Sequence, residues 1–271
     1  MDYDIRELSR ITQLPVTTIR SYQDEGLLTP ARRDPASGNE YYDAGVVERA
    51  RVVRKLRNLD YSLAQMRELL AGGESDRPAA DGDTRGATAA RKALRAIVLH
   101  ERETEARART IGESVVERSF DSQVIGGVRL RARPADIVEL TGPVMERFGR
   151  WASGGPLALY HEMDYRDDEA DCEVCVPLRR APPAGQETRG GPAGEAGEWS
   201  VRVLPARRCL VTLHRGPLEE IGRSYARLLD RARQAGSSVT LPIEELSLRG
   251  PGMLVPPSPR RYLTEIRIGL H

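Results

Sequence analysis

At 271 residues with 39% hydrophobic side chains, the chain exceeds one typical domain and can fill two ordinary cores. A formal charge of +1 removes any argument for nucleic-acid binding from bulk composition, and three cysteines are too few to staple a fold of this size. No apolar run reaches membrane-spanning length and the start, MDYDIRELSR, lacks the pattern of a secretory signal, so a cytoplasmic protein with no membrane partner is expected.

In chain order, Asp4 before IRELSRIT predicts an N-capped helix with Ile5, Leu8 and Ile11 on its inner face. Gln13-Leu14-Pro15 reads as a tight turn, and PVTTIRSYQDEG as a second helix stopped at Gly26. Two short helices joined this way offer the second to a DNA major groove. Val16, Ile19 and Leu27 face inward, which leaves Thr17, Thr18, Arg20 and Ser21 to meet bases and phosphates. In TPARRDPASGNEYYD a turn over Pro35 to Gly38 separates two short extended runs, the form of a wing, with Arg32, Arg33, Tyr41 and Tyr42 as phosphate-binding candidates. A third helix over 43–58 clusters Arg49, Arg51, Arg54, Lys55 and Arg57, and DYSLAQMRELL supplies a fourth with Leu63, Met66, Leu69 and Leu70 on its apolar side. Residues 1–72 carry 11 basic and 11 acidic side chains, so a DNA-binding face there depends on placement rather than net charge.

This succession of IRELSRIT, TTIRSYQDEGLLTPARR, a wing ending in YYD, and SLAQMRELL resembles the MerR family of transcription regulators over residues 1–71. The resemblance implies a homodimer that binds double-stranded promoter DNA with an over-long spacer and distorts it so that RNA polymerase aligns with both promoter elements. It places Arg20, Arg33, Tyr41 and Tyr42 on the DNA backbone. Ser21 stands where the family often has tyrosine, and Asn39-Glu40 where it has aromatic-Arg; a glutamate at the wing would repel phosphate.

Residues 72–88 (GGESDRPAADGDTRGAT) have the composition of a flexible linker, assigned to 73–87. A long helix is expected over 88–118, with a seam of Ala90, Leu94, Ile97, Glu101, Thr104, Ala108, Ile111 and Val115 at coiled-coil spacing. Dimerisation through this helix and packing on its own C-terminal domain are both open. From 120 to 271 an internal repeat is expected. Gly142-Pro143 with Trp151 matches Gly216-Pro217 with Tyr225, residues 155–160 match 241–246, and residues 172–176 match 264–268. The fold class is therefore α+β: a winged helix-turn-helix (1–72), a dimerisation helix, and a duplicated domain with a pseudo-twofold axis. A mobile loop is expected over 179–198.

Residues 72–118 hold no cysteine, against a metal sensor of the MerR type. Cys172-x-x-Cys175 lies on a predicted strand, which sends residues three apart to opposite faces, so these read as small buried side chains and no metal or cofactor is expected. LVTLHRGPLEEIGRSYARLL, LPIEEL and YLTEIRIGL resemble the BmrR-like, or GyrI-like, effector-binding domains. That resemblance implies a cleft for organic, often cationic and aromatic, compounds, with a cleft glutamate at Glu245 or, one residue away, Glu244, followed by a tyrosine where this chain has Ser247. Trp151, Tyr160, Trp199, Tyr225 and Tyr262 are the aromatic candidates, because ring faces attract cations. A core role remains open for Trp151 and Tyr225, and a surface position for either glutamate. Glu173 and Glu265 sit in equivalent strands and are read as structural; His214, with no Ser or Cys nucleophile near it in sequence, is read as a hydrogen-bonding residue. The expected function is a non-enzymatic, ligand-responsive activator of transcription. The alternative is a hydrolase or drug-sequestering protein with an attached DNA-binding module.

Overall fold

The computed structural model describes residues 2–71, 92, 94–99, 103, 114–134, 136–183, 197–250 and 258–271. The chain divides into two compact units, Met1–Gly112 and Glu113–His271. The linker over 73–87 and most of the long-helix seam lie outside the described residues; 92, 94–99 and 103 are helical. No helix among the described residues is long and apolar enough to cross a membrane.

The first unit begins with α1 (Ile5–Thr12), closed by a capping box. The Asp4 carboxylate accepts from the Arg6 and Glu7 amides, while Glu7 accepts from the Asp4 amide at 2.9 Å. Gln13 in the left-handed region ends the helix, and the Ser9 hydroxyl donates to the Leu14 carbonyl at 2.6 Å, which fixes the turn into α2 (Val16–Asp24). Gly26, at φ +70°, turns the chain away. Strands β1 (Arg32–Arg33) and β2 (Glu40–Tyr41) form the wing, followed by α3 (Ala44–Asn58), capped by Asp43, and α4 (Leu63–Ala71). Ser62 and Gln65 close a second capping box at α4. Leu8, Ile11, Ile19, Leu27, Val53, Leu56 and Met66 are buried in this unit, the inward-facing set that helical spacing dictates.

The second unit is an eight-stranded antiparallel sheet. Its strands are β3 (Val116–Phe120), β4 (Gln123–Ala132), β5 (Leu157–Tyr160), β6 (Ala170–Pro177), β7 (Glu198–Leu204), β8 (Arg207–Arg215), β9 (Val239–Arg249) and β10 (Leu263–Leu270). Helix α5 (Thr141–Phe148) follows β4 and α6 (Gly222–Gln234) follows β8. The order across the sheet is β3-β8-β10-β9-β5-β6-β4-β7, which reads the same from both ends once repeat equivalents are matched. Two corrections concern boundaries. The helix expected to run to 118 is replaced by β3 from Val116, because Val116 to Phe120 find a ladder on β8; of the loop expected over 179–198, residues 184–196 lie outside the described residues and Glu198 already belongs to β7.

Edge strands are exchanged between the repeats. Asp121-Ser122 links β3, first in the sheet, to β4, seventh; Pro205-Ala206 links β7, eighth, to β8, second. Six strand spacings would be roughly 29 Å on a flat sheet, whereas a two-residue link spans about 10 Å. The sheet therefore curls until its ends approach, giving a half-barrel with α5 and α6 on its outer face. Gly126 permits the packing of α5, since a Cβ there would meet the Phe148 ring at 2.9 Å.

The ladders also correct the repeat alignment. Pairing of β4 with β6 and β8 with β10, together with the two exchanged edges, makes Cys172–Val176 equivalent to Thr264–Ile268, as expected. Leu157 pairs with Cys175, and Glu244 pairs with the equivalent residue Arg267. Leu157 thus corresponds to Glu244, one residue from the sequence alignment, and Ala158 to Glu245. Ala158 and Glu245 are also paired with each other, so they lie on the pseudo-twofold axis.

Candidate functional site

On the first unit, Thr17, Arg20 and Ser21 are exposed along α2 and Thr18 is half-buried, while Ile19 is fully buried beneath them. Arg32 and Arg33 are exposed at the wing, and the Arg32 guanidinium lies 4.2 Å from the centre of the Tyr41 ring. The turn between the strands is organised by Asp34, whose carboxylate accepts from the Ala36 amide and the Ser37 hydroxyl and is held below the usual carboxylate range by those bonds. Gly38, at φ +73°, completes it.

Two wing expectations change. Tyr42 is fully buried and pairs with Tyr3 across an isolated bridge, so it supports the wing from within instead of presenting a ring to DNA. Glu40 does not project as a repelling charge. It accepts from Gln23 of α2 at 2.9 Å, from Arg33 at 2.5 Å and from the Tyr42 hydroxyl at 3.2 Å. These donors, Gln23 first and Arg33 second, hold its carboxyl below the ordinary range. Burial, then the adjacent Glu40 charge, pushes the Tyr42 phenol up to about 12. The wing is thereby tied to α2, at the expense of part of the free charge of Arg33. The basic run on α3 is partly inward too, since Arg49 donates to the Leu27 carbonyl at 2.6 Å and Arg57 bonds to Tyr22.

On the second unit, adjacent residues of β9 point to opposite faces, which separates the two glutamates that sequence left as alternatives. Glu245 faces the helices and accepts from the Tyr225 hydroxyl of α6. Tyr160, two residues from Ala158 on β5, shares that face. Glu244 points the other way, is buried, and binds Arg207 and Arg267. Trp151 closes the 3₁₀ turn after α5, with the Arg150 guanidinium 3.7 Å from its ring centre. Trp199 lies on edge strand β7, three strands beyond β5, and packs on Phe148 with a ring-centre distance of 6.2 Å; Tyr262 precedes β10, four residues from Ile266, the partner of Glu245.

Glu173 and Glu265 take equivalent structural roles. Arg202 of β7 binds Glu173 at 2.5 Å, and its repeat counterpart Arg118 of β3 reaches Glu265 at 4.0 Å, so each exchanged edge strand is fastened to the opposite half by an ion pair. Burial would raise the Glu173 carboxyl, but His161 and Arg202 more than offset it and hold it low. His214 does have a serine neighbour, supplied by the fold: its Nδ1 lies 3.1 Å from the Ser224 hydroxyl and Nε2 3.0 Å from the Pro217 carbonyl. Both His214 and Ser224 are buried, which makes this a structural bond. Cys172, Cys175 and Cys209 are buried thiols, and burial pushes Cys172 and Cys209 up to about 11, the character of apolar side chains.

A two-helix reading head with a wing, joined in one chain to a duplicated half-barrel, defines a winged helix-turn-helix regulator with an effector-type domain. The comparisons specify the class. Residues 3–73 match the model of the MerR HTH family regulatory protein, so the first unit is a MerR-type helix-turn-helix domain and the chain is a DNA-binding transcription regulator. It is 27% identical over 267 residues to the transcriptional regulator BrlR of Pseudomonas aeruginosa, covering 91% of this chain and 94% of that protein. Over 81 residues it is 41% identical to the HTH-type transcriptional regulator HmrR of Rhizobium leguminosarum bv. viciae, covering 29% of this chain and 60% of that protein. The fold is similar to EcmrR in the cryo-EM structure of its DNA complex, with a TM-score of 0.50 at 17% identity and 99% of each chain covered.

Proposed function

We propose that this regulator is a homodimer that activates transcription when an organic cation, aromatic in part, occupies the helix-covered face of the half-barrel at Glu245. The observation that carries the reading is the placement of Glu245 on the pseudo-twofold axis, opposite Ala158 and hydrogen-bonded to Tyr225. Its symmetry counterpart is an alanine, so the axis carries one carboxylate with no acidic twin to repel it. A carboxylate beside aromatic rings suits a cation, which gains from ring faces and from a counter-charge in a poorly hydrated site. Tyr160 and Trp151 are the further rings we assign to this site, while Thr17, Thr18, Arg20, Ser21, Arg32, Arg33 and Tyr41 form the DNA-facing set.

Occupancy alone would not switch transcription; the effector must prefer one dimer arrangement over another. In this reading the helix that includes 94–99 joins the protomers, and the ligand-favoured dimer distorts promoter DNA for RNA polymerase without itself catalysing a reaction. The test is calorimetric titration of the full chain with tetraphenylphosphonium, alongside in vitro transcription from the chain's own upstream promoter. Glu245→Gln should weaken binding of that cation by about tenfold or more, the size expected for a lost charge-assisted contact, with promoter affinity intact. Equal affinity before and after the change rejects the carboxylate site, and chemically altered probe after incubation rejects the non-enzymatic reading.

A further inference from the structure

The inner face of the half-barrel, opposite α5 and α6, holds a recess of about 500 Å³ that reaches Glu244, Arg207, Arg267 and Phe120. The repeat allows its two walls to be compared position by position. Where the second half has Arg207, Glu244, Arg267 and the first-half edge supplies Phe120, the equivalent positions are Gln123, Leu157, Cys175 and Leu204. One wall is therefore apolar and its symmetry mate is charged.

That asymmetry needs a reason other than stability. Burying an Arg–Glu–Arg group costs desolvation, and apolar side chains of similar volume are often as stabilising or more so. Leu157 and Cys175 show that this fold accepts such side chains at the very positions occupied by Glu244 and Arg267 in the other half. The charged set instead presents spare donors. Each guanidinium has five N–H groups, yet Arg207 is met by Glu244, the Pro205 carbonyl and the Cys209 sulfur, and Arg267 by Glu265 and, at 3.3 Å, Glu244. Both guanidiniums also lie over Phe120, at 5.4 and 4.3 Å from its ring centre, which fixes their planes at the recess wall.

We infer that this recess is a second small-molecule site, built for an amphipathic organic anion: a carboxylate or sulfonate head taken by Arg267 and Arg207, and an apolar body laid along Leu157, Leu204 and Leu246. The head supplies the acceptor oxygens that the guanidiniums lack, in a bidentate geometry that arginine favours. The site is independent of the Glu245 reading. The two are back to back on β9, so an anion seated here bears on the same strand from the opposite side.

The probe is 8-anilinonaphthalene-1-sulfonate, followed by fluorescence with the full-length chain and displaced by decanoate. Saturable binding at one site per chain is expected. Arg267→Leu should weaken it by about tenfold or more, the effect of losing a hydrogen bond to a charged group. Gly155→Phe tests the space without touching a charge, since Gly155 lines the recess and a Cβ there meets only a Leu246 methyl at 4.0 Å; it should weaken binding by at least as much, with an unchanged circular dichroism spectrum. Glu245→Gln should leave it unaltered, and decyltrimethylammonium should not displace the probe. Unchanged affinity in Gly155→Phe, or displacement by the ammonium as readily as by decanoate, overturns the proposal.

Discussion

The two units of this chain are held in shape by contacts of different range. In the first unit, the polar contacts that set the backbone mostly join near neighbours: Asp4 with Glu7, Asp34 with Ser37, Ser62 with Gln65, Arg33 with Glu40. In the half-barrel, the defining contacts join distant strands: Glu173 with Arg202, Glu244 with Arg207, Arg118 with Glu265, and two edge strands exchanged between repeats. Local capping and turns build a reading head from a short stretch of chain. The centre of the duplicated sheet, where Ala158 pairs with Glu245, exists only once both repeats have paired.

The contrast can be broken most severely at Glu244. Glu244→Leu leaves two arginines beside a buried position without their shared carboxylate, and stability of the second unit should fall by about 3 kcal/mol. Urea unfolding of the full chain followed at the tryptophans, both of which lie in that unit, reads the loss; a change below about 1 kcal/mol would mean that long-range ion pairing does not set the half-barrel. Next in size, Arg20→Ala should weaken promoter binding and lower the slope of log affinity against log salt by about one, as for one lost phosphate contact. An unaltered slope removes Arg20 from the contact set. Asp4→Ala should cost about 1 kcal/mol through the lost capping box, confined to the first unit in hydrogen exchange; spread into the half-barrel would argue against local control.

The smallest effect concerns Glu40. Its folded carboxyl titrates below the ordinary value, so its contribution is present above the unfolded-state value and is lost as pH falls through the lowered one. Arg33 is largely exposed, and the pair should be worth less than about 1 kcal/mol. Thermal unfolding of Glu40→Gln should trail the parent slightly at pH 7, and the gap should narrow steadily as the pH falls below the ordinary carboxylate range. A gap that does not narrow with falling pH would assign the effect to packing.

Legibility followed the same division. Capped helices, the turn at Gln13 to Pro15 and the wing could be read from the residues, since each depends on side chains a few positions apart. The buried Tyr42 and the inward Glu40 could not, because their partners on α2 and near the N-terminus are set by how the helices close on the wing. In the second half, the repeat was visible through Gly142-Pro143 and Gly216-Pro217, but its alignment near Leu157 was displaced by one residue. The places of the aromatic candidates were hidden for the same reason: strand order alone puts Trp199 on the edge strand β7 and Tyr262 just before β10.

By itself, the amino-acid sequence determined that this chain starts with a winged helix-turn-helix and continues into a duplicated α+β domain, because helix periods, caps and turn residues act locally. The tertiary structure decided which glutamate meets which face of the sheet. Glu244 and Glu245 are chemically identical neighbours, and in a strand a shift of one residue exchanges the two sides of the sheet. Pairing across β5 and β10 fixed that register, sending Glu245 to Tyr225 beneath the helices and Glu244 to the arginines of the inner recess.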